Sequence, residues 1–241
     1  AMGGLLFGYD WVVIGGAKPF YELFFDLKGS PSLQGWAMSS ALVGCLTGAA
    51  VAGSLADRLG RKLLLILAGA LFTLSAFGTG YASAFTPFVI YRILGGVGIG
   101  LASTLSPMYI AEVSPAQIRG RFVSLNQLTI VIGILAAQIA NWQIAKPVPD
   151  GFTDQQILNS WNGQWGWRWM FWAEMVPASL FFILMFFVPE SPRFLARQKK
   201  DEKVIQILSR VGGMSYARTE LSNIKETLKN SSDKINYRAL L

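Results

Sequence analysis

Four stretches of this chain, residues 36–56, 63–91, 93–111 and 122–145, contain no Asp, Glu, Lys or Arg. About 20 such residues in a row cross the hydrocarbon core of a bilayer as a helix, and a soluble domain has no place to bury four of them. Residues 175–189 are also free of charge, and so are residues 1–17 apart from Asp10. Six membrane crossings are the expectation. Composition supports it, since only 15% of the 241 residues are charged and 52% are hydrophobic, whereas soluble domains carry about 25% charge. The chain has no histidine and one cysteine, Cys45. An internal disulfide is therefore excluded, along with zinc enzymes and Ser-His-Asp hydrolases, and no metal or cofactor is expected. Eleven of the 21 basic residues follow Pro192, so the +7 net charge belongs mostly to a tail and does not point to nucleic acid.

Basic clusters orient the helices, because short loops rich in Lys and Arg stay in the cytoplasm. Three clusters qualify: Arg58, Arg61 and Lys62; Arg119 and Arg121; and the segment from Arg193. If all three lie inside, an even number of crossings separates each from the next. The first gap then holds helices near 63–80 and 86–111. The second holds 122–144 and 168–188, joined by a polar outside loop containing Lys146, Asp150, Asp154 and Asn162. Upstream, 36–56 pairs with a first helix, which places both chain ends in the cytoplasm of a multi-pass protein of the cell membrane.

No basic segment precedes Gly3-Gly4-Leu5-Leu6-Phe7, so a cleaved signal peptide is not expected, and the chain opens like a helix already under way. Asp10 lies about 15 Å along that helix from the first residue, roughly half a bilayer, which predicts that a cytoplasmic lead-in has been trimmed. After Phe194 the texture becomes charged and amphipathic. Val204, Ile205 and Leu208 share a face, Gly212-Gly213 reads as a stop, and Leu221, Ile224 and Leu228 repeat the spacing. The division expected is a six-helix membrane bundle over residues 1–190 and a cytoplasmic helical segment over 191–241. A disordered basic tail is the alternative.

The loop Gly53-Ser-Leu-Ala-Asp57-Arg58-Leu-Gly60-Arg61-Lys62 resembles the inner-loop signature of the major facilitator superfamily, G-x-x-x-D-R-x-G-R-[RK]. Its physical logic is a gate in which Asp57 caps or pairs with positive helix ends and arginines, while Gly60 permits the tight turn. Four further segments match the sugar porters of that superfamily in order and spacing. They are Tyr91-Arg92 with Gly95, Gly96, Gly98 and Gly100; Pro107 through Glu112 to Pro115; Arg119-Gly120-Arg121; and Pro189-Glu190-Ser191-Pro192-Arg193. The resemblance covers nearly the whole chain but only the N-terminal half of such a transporter, proton-coupled xylose and arabinose porters of bacteria being the nearest in kind. It implies an all-α fold, a six-transmembrane-helix N-terminal bundle followed by cytoplasmic helices. Residues 236–241 resemble the approach to a seventh helix, and the C-terminal bundle is the missing partner. Gly96, Gly98 and Gly100 serve close helix packing on this reading, since no strand precedes them as a dinucleotide loop requires.

The resemblance also implies roles. Asp57, Arg58, Gly60, Arg61, Glu112, Arg119, Glu190 and Arg193 form an inner salt-bridge and gating network, with ordinary snorkelling charges as the alternative. Three ionisable residues fall inside expected helices: Asp10, Arg92 and Glu174. Charges in lipid are expensive unless paired, so this trio is a functional hypothesis by default. Phe7-Gly8-Tyr9-Asp10 and the segment from Trp167 to Glu174 resemble the carriers of the coupling carboxylates in proton-linked sugar porters; a fixed Asp10–Arg92 pair with no titration is the alternative. Gln127, after Asn126, matches a glutamine that hydrogen-bonds sugar hydroxyls, and Phe7 supplies an aromatic face. A plain interhelical bond is the other reading of Gln127. Gln138, Asn141 and Trp142 lie toward the outer end. The function implied is alternating-access transport of a monosaccharide, pentose or hexose, by proton symport across the lipid bilayer. A passive uniporter and a membrane sugar sensor without flux are the rivals.

Overall fold

The computed structural model describes residues 2–230. Every regular element among them is helical. Six long helices form the bundle: α1 (Met2–Phe24), α2 (Pro31–Leu59), α3 (Arg61–Tyr81), α4 (Phe85–Val113), α5 (Arg119–Ile144) and, after a short α6 (Asp154–Leu158), α7 (Trp167–Phe187). Then come α8 (Pro192–Arg197) and α9 (Asp201–Asn230). Five of the long helices, α2 to α5 and α7 with the turn before it, are long and apolar enough to cross a membrane. The first helix is 23 residues long, but Asp10, Lys18 and Glu22 make it less apolar, so composition alone supports five crossings where six were expected. The segment 236–241 lies outside the described residues.

Short, sharply punctuated turns alternate the helix directions. Pro31 occupies the first turn of α2, where its missing N–H costs nothing. Gly60 ends α2 and starts α3 with φ 90° and ψ 165°, a conformation open only to glycine at low cost. The connection expected as a plain polar loop is more ordered than that. Thr153 and Gln156 form a reciprocal capping box on α6, and a π-helical turn, Asn162–Gly166, leads into α7. Asn162 ties the connection together, donating to Lys146 O at 2.7 Å and accepting from Lys146 N at 2.9 Å.

The principal helix contacts are α2 with α4, α1 with α5, and α3 with both α4 and α7. Exchanging α1, α2 and α3 for α4, α5 and α7 maps the α1–α5 contact onto the α4–α2 contact, the pattern of two three-helix repeats. Both contacts are close backbone approaches. A Cβ on Gly100 of α4 would sit 2.2 Å from Cys45 O, and one on Gly133 of α5 would sit 2.0 Å from Leu5 O. Without a hydrophobic drive between helices in lipid, such small-residue seams supply the van der Waals contact that holds a bundle.

Two apolar clusters fill the bundle, one around Tyr21, Phe88 and Trp167 and one around Leu64, Phe72 and Leu105. A third, built from Leu195, Ala196, Val204, Leu208, Ala217 and Leu221, joins α8 to α9. It forms because Gly213, with φ 82°, breaks α9 where the sequence places a stop, folding its second half back onto its first.

Candidate functional site

Asp10 on α1 and Arg92 on α4 meet in the middle of the bundle, 4% and 3% exposed, as an ion pair from Arg92 Nη1 to Asp10 Oδ1. Glu174 on α7 is 2% exposed and within electrostatic reach of both. The guanidinium also stands 5.8 Å from the centre of the Phe171 ring. Its Nε has no hydrogen-bond partner among the described residues. Asp10 holds the guanidinium, and Glu174 lies in the electrostatic field of the pair without an ion pair of its own among the described residues. With all three ionised the set would carry one net negative charge, which burial disfavours. The three residues singled out by their position inside helices are thus brought together from three elements.

Phe7, one turn before Asp10, stands between two cavities. The first, of about 310 Å³, is lined by Phe7, Gly4, Ser103, Asn126 and Gln127 among others. The second, of about 220 Å³, is lined by Phe7, Asp10, Met38, Cys45 and Arg92 among others. Gln127 is exposed at the open side of the first. Its neighbour Asn126 is buried, and its Oδ1 has no partner among the described residues, an acceptor next to Gln127 that nothing in the local sequence marks. Asn141 is also buried and donates to Val13 O at 3.3 Å, stitching α5 to α1. Trp142 is 77% exposed and Gln138 is exposed.

At the end of the bundle where α2, α4 and α7 finish, a charged cluster closes around Arg61, 6% exposed. Arg61 pairs with Glu112 at 3.0 Å and Asp57 at 3.4 Å, and donates to Ala56 O at 2.9 Å. Glu190 accepts from the backbone N–H groups of Arg61 at 3.0 Å and Lys62 at 3.1 Å, so its carboxylate caps α3 where the helix dipole is positive. Asp57 does not take that capping position; it pairs with arginines, reaching Arg197 of α8 at 3.2 Å. A Cβ on Gly60 would lie 2.3 Å from Glu190 Oε2, so this contact requires glycine there as much as the backbone angle does.

Ser191 donates its hydroxyl to Glu112 and also caps α8. Neither Ser191 nor Arg197 was singled out in the sequence; the Ser-Pro pair at a helix start is the local signal for the first, and nothing local marks the second. Among the described residues Arg58, Arg119 and Arg193 form no ion pair, so the cluster is smaller than the eight residues expected. Arg119 lies near Tyr216 of α9, whose phenol is pushed up by burial and Glu220 and held back by Arg119. At the opposite end Arg168 donates to Gly80 O and Ala82 O at 2.6 and 2.7 Å, closing the end of α3, while Lys28 pairs with Asp154.

Residues 1–241 match the family model described as "Sugar (and other) transporter". The chain is 47% identical over 214 residues to a glucose transport protein of Synechocystis sp., covering 88% of this chain and 44% of that protein. It is 39% identical over 251 residues to the D-xylose-proton symporter of Escherichia coli K12, covering 94% of this chain and 49% of that one. A solved structure of the proton:xylose symporter XylE bound to 6-bromo-6-deoxy-D-glucose superposes with a TM-score of 0.86 at 40% identity, over 95% of this chain and 51% of the other. The partially occluded inward-open form of XylE from E. coli gives 0.87 at 38% identity, over 96% and 58%. The chain thus spans about half the length of the relatives it matches. A family match along its full length, and a major facilitator fold shared at 40% identity, mean that this chain belongs to the sugar transporter family.

Proposed function

We propose that this chain is the N-terminal half of a proton-coupled monosaccharide symporter working by alternating access. The observation that carries the reading is the buried Asp10–Arg92 pair with Glu174 beside it, separated by Phe7 from the cavity that Gln127 lines. Protonation of Asp10 loosens its pairing with Arg92, and Phe7 lines both the cavity beside that pair and the sugar cavity. Sugar and proton occupancy are coupled through a single side chain. Relatives named as xylose-proton, arabinose-proton and glucose transporters support a pentose or hexose as the substrate.

In this reading α1 is the sixth crossing, with Asp10 buried in the bundle and Lys18, half-exposed, paired with Glu22 near its far end. Residues 2–190 form the membrane bundle, and 191–230 form a helical segment that leads toward a C-terminal bundle completing the pathway. The end of the bundle with Arg61, Glu112, Glu190 and Arg197 faces the cytoplasm, following the positive-inside bias. The Asp57, Arg61, Glu112 and Glu190 cluster holds that end closed while the other is open, with Gly60 shaping its turn, and Arg58, Arg119 and Arg193 engage in other conformations or with the second half.

The test is Asp10→Asn in a full-length protein carrying this half, with pH-dependent uptake measured beside sugar counterflow. Asparagine keeps the size and removes the titrating group. Uphill accumulation should vanish, while counterflow, which needs no net proton movement, survives. Undiminished uphill uptake would move the coupling to Glu174 or turn the reading to a facilitator. Sugar binding with no flux in the unmutated protein would make it a sensor.

A further inference from the structure

A cavity of about 860 Å³ takes no part in the proposed sugar or proton path. It lies between the α2–α3 turn, α8 and both halves of α9. Six of its lining side chains are Lys or Arg and two, Asp57 and Asp201, are acidic. The second half of α9 reaches it because the break at Gly213 folds that helix back, bringing Lys225 to Asp201 as an ion pair. Positive φ at Lys199 turns the chain between α8 and α9 and brings that residue to the wall.

Four of these cations keep donor capacity free or weakly held. Arg193 and Lys199 form no ion pair among the described residues. Arg61, more than nine-tenths buried and lining the cavity, has an Nε–H with no hydrogen-bond partner among the described residues. Among the described residues Arg197 pairs with Asp57 alone, in a bridge whose side chains are 54% and 51% exposed, the class of pair that contributes little.

Guanidinium groups present planar forks that fit phosphate oxygens in pairs, and a concave wall with excess positive charge concentrates anions. We infer that this cavity binds a phosphate group, carried by a soluble phosphate ester or by a lipid headgroup, with Arg193, Arg197 and Lys199 as its principal partners. The bound group replaces Asp57 on Arg197 and bridges the α2–α3 turn to α8 and α9. The inference stands apart from the transport reading, because its readout is binding and needs neither sugar nor flux.

The experiment is isothermal titration of the 241-residue chain, in phosphatidylcholine nanodiscs at constant ionic strength, with pyrophosphate as the probe. Saturable binding is expected. The double variant Arg193→Gln, Lys199→Gln should weaken it about tenfold or more, a loss of about 1.4 kcal/mol or more. Arg210→Gln, outside the cavity wall, should leave it unchanged, and the charge-keeping pair Arg193→Lys, Lys199→Arg should restore most of it. Repeating the titration in phosphatidylglycerol discs separates the sources. Unchanged affinity assigns the site to soluble esters, and a raised apparent Kd assigns it to the headgroup. Heats that follow ionic strength alone, or equal affinity in the double glutamine variant, would overturn the proposal.

Discussion

Gly60 and Glu190 share one turn, and each explains the other. Gly60 adopts φ 90° and ψ 165°, and the space where its Cβ would stand belongs to the Glu190 carboxylate. Gly60→Ala therefore combines backbone strain of about 1–3 kcal/mol with the displacement of a helix-capping anion. The expected outcome is a lower thermal unfolding midpoint for the purified chain in detergent; an unchanged midpoint would mean that the turn relaxes without cost. The need for glycine at this turn was legible in the sequence, because a tight turn between two apolar runs demands one. The identity of the capping carboxylate was not. Glu190 lies 129 residues from the N–H it accepts, and no local pattern encodes a contact of that span.

Helix α2 carries its own control for the role of small residues. A Cβ on Gly48 would come within 2.4 Å of Val97 O on α4, while one on Gly53, a turn and a half further on, meets nothing within 4 Å. Gly48→Ala must push α2 from α4 and should cost about 1–3 kcal/mol, as overpacking does. Gly53→Ala gains helix propensity and should be neutral or stabilising by up to about 1 kcal/mol. Thermal unfolding of the two variants in the same lipid checks the contrast, and equal effects would show that the seam does not hold the bundle. Element positions were largely readable from the runs without charge. Their ends were less so: α2 begins at Pro31 and runs to Leu59, five residues before and three beyond the run at 36–56, because a proline suits a first helical turn and Asp57 and Arg58 reach solvent or partners from the last one. The α6 turn and the π-helical turn are not legible in the sequence, because polar residues between helices look like loop until their caps are seen.

On the proposed reading this bundle supplies one wall of the sugar path, with Gln127 exposed at the cavity it lines. A sugar held by one wall keeps much of its surface in water, so these 241 residues alone should neither bind a monosaccharide tightly nor accumulate it in liposomes under a proton gradient. Gradient-driven uptake by the monomeric chain would show that one half suffices, whereas uptake that scales with dimer content would show two copies standing in for the two halves.

Local chemistry was enough to determine the class of this protein. Freedom from charge over helix-length runs, basic clusters between them and glycines at the turns act through neighbours in sequence, so membrane helices, their order and the inner-loop signature could all be read directly. Tertiary structure alone decided which charges meet. Arg92 finds Asp10 across 82 residues, and Arg61 finds Glu112 across 51, because the helices that carry them cross at glycine seams. The same crossing leaves Arg58, Arg119 and Arg193 outside the ion-pair cluster and opens a basic cavity beside Arg193. Charge type is written residue by residue, but the energy of a buried pair depends on distance and on the exclusion of water, and both are set only once the helices have packed.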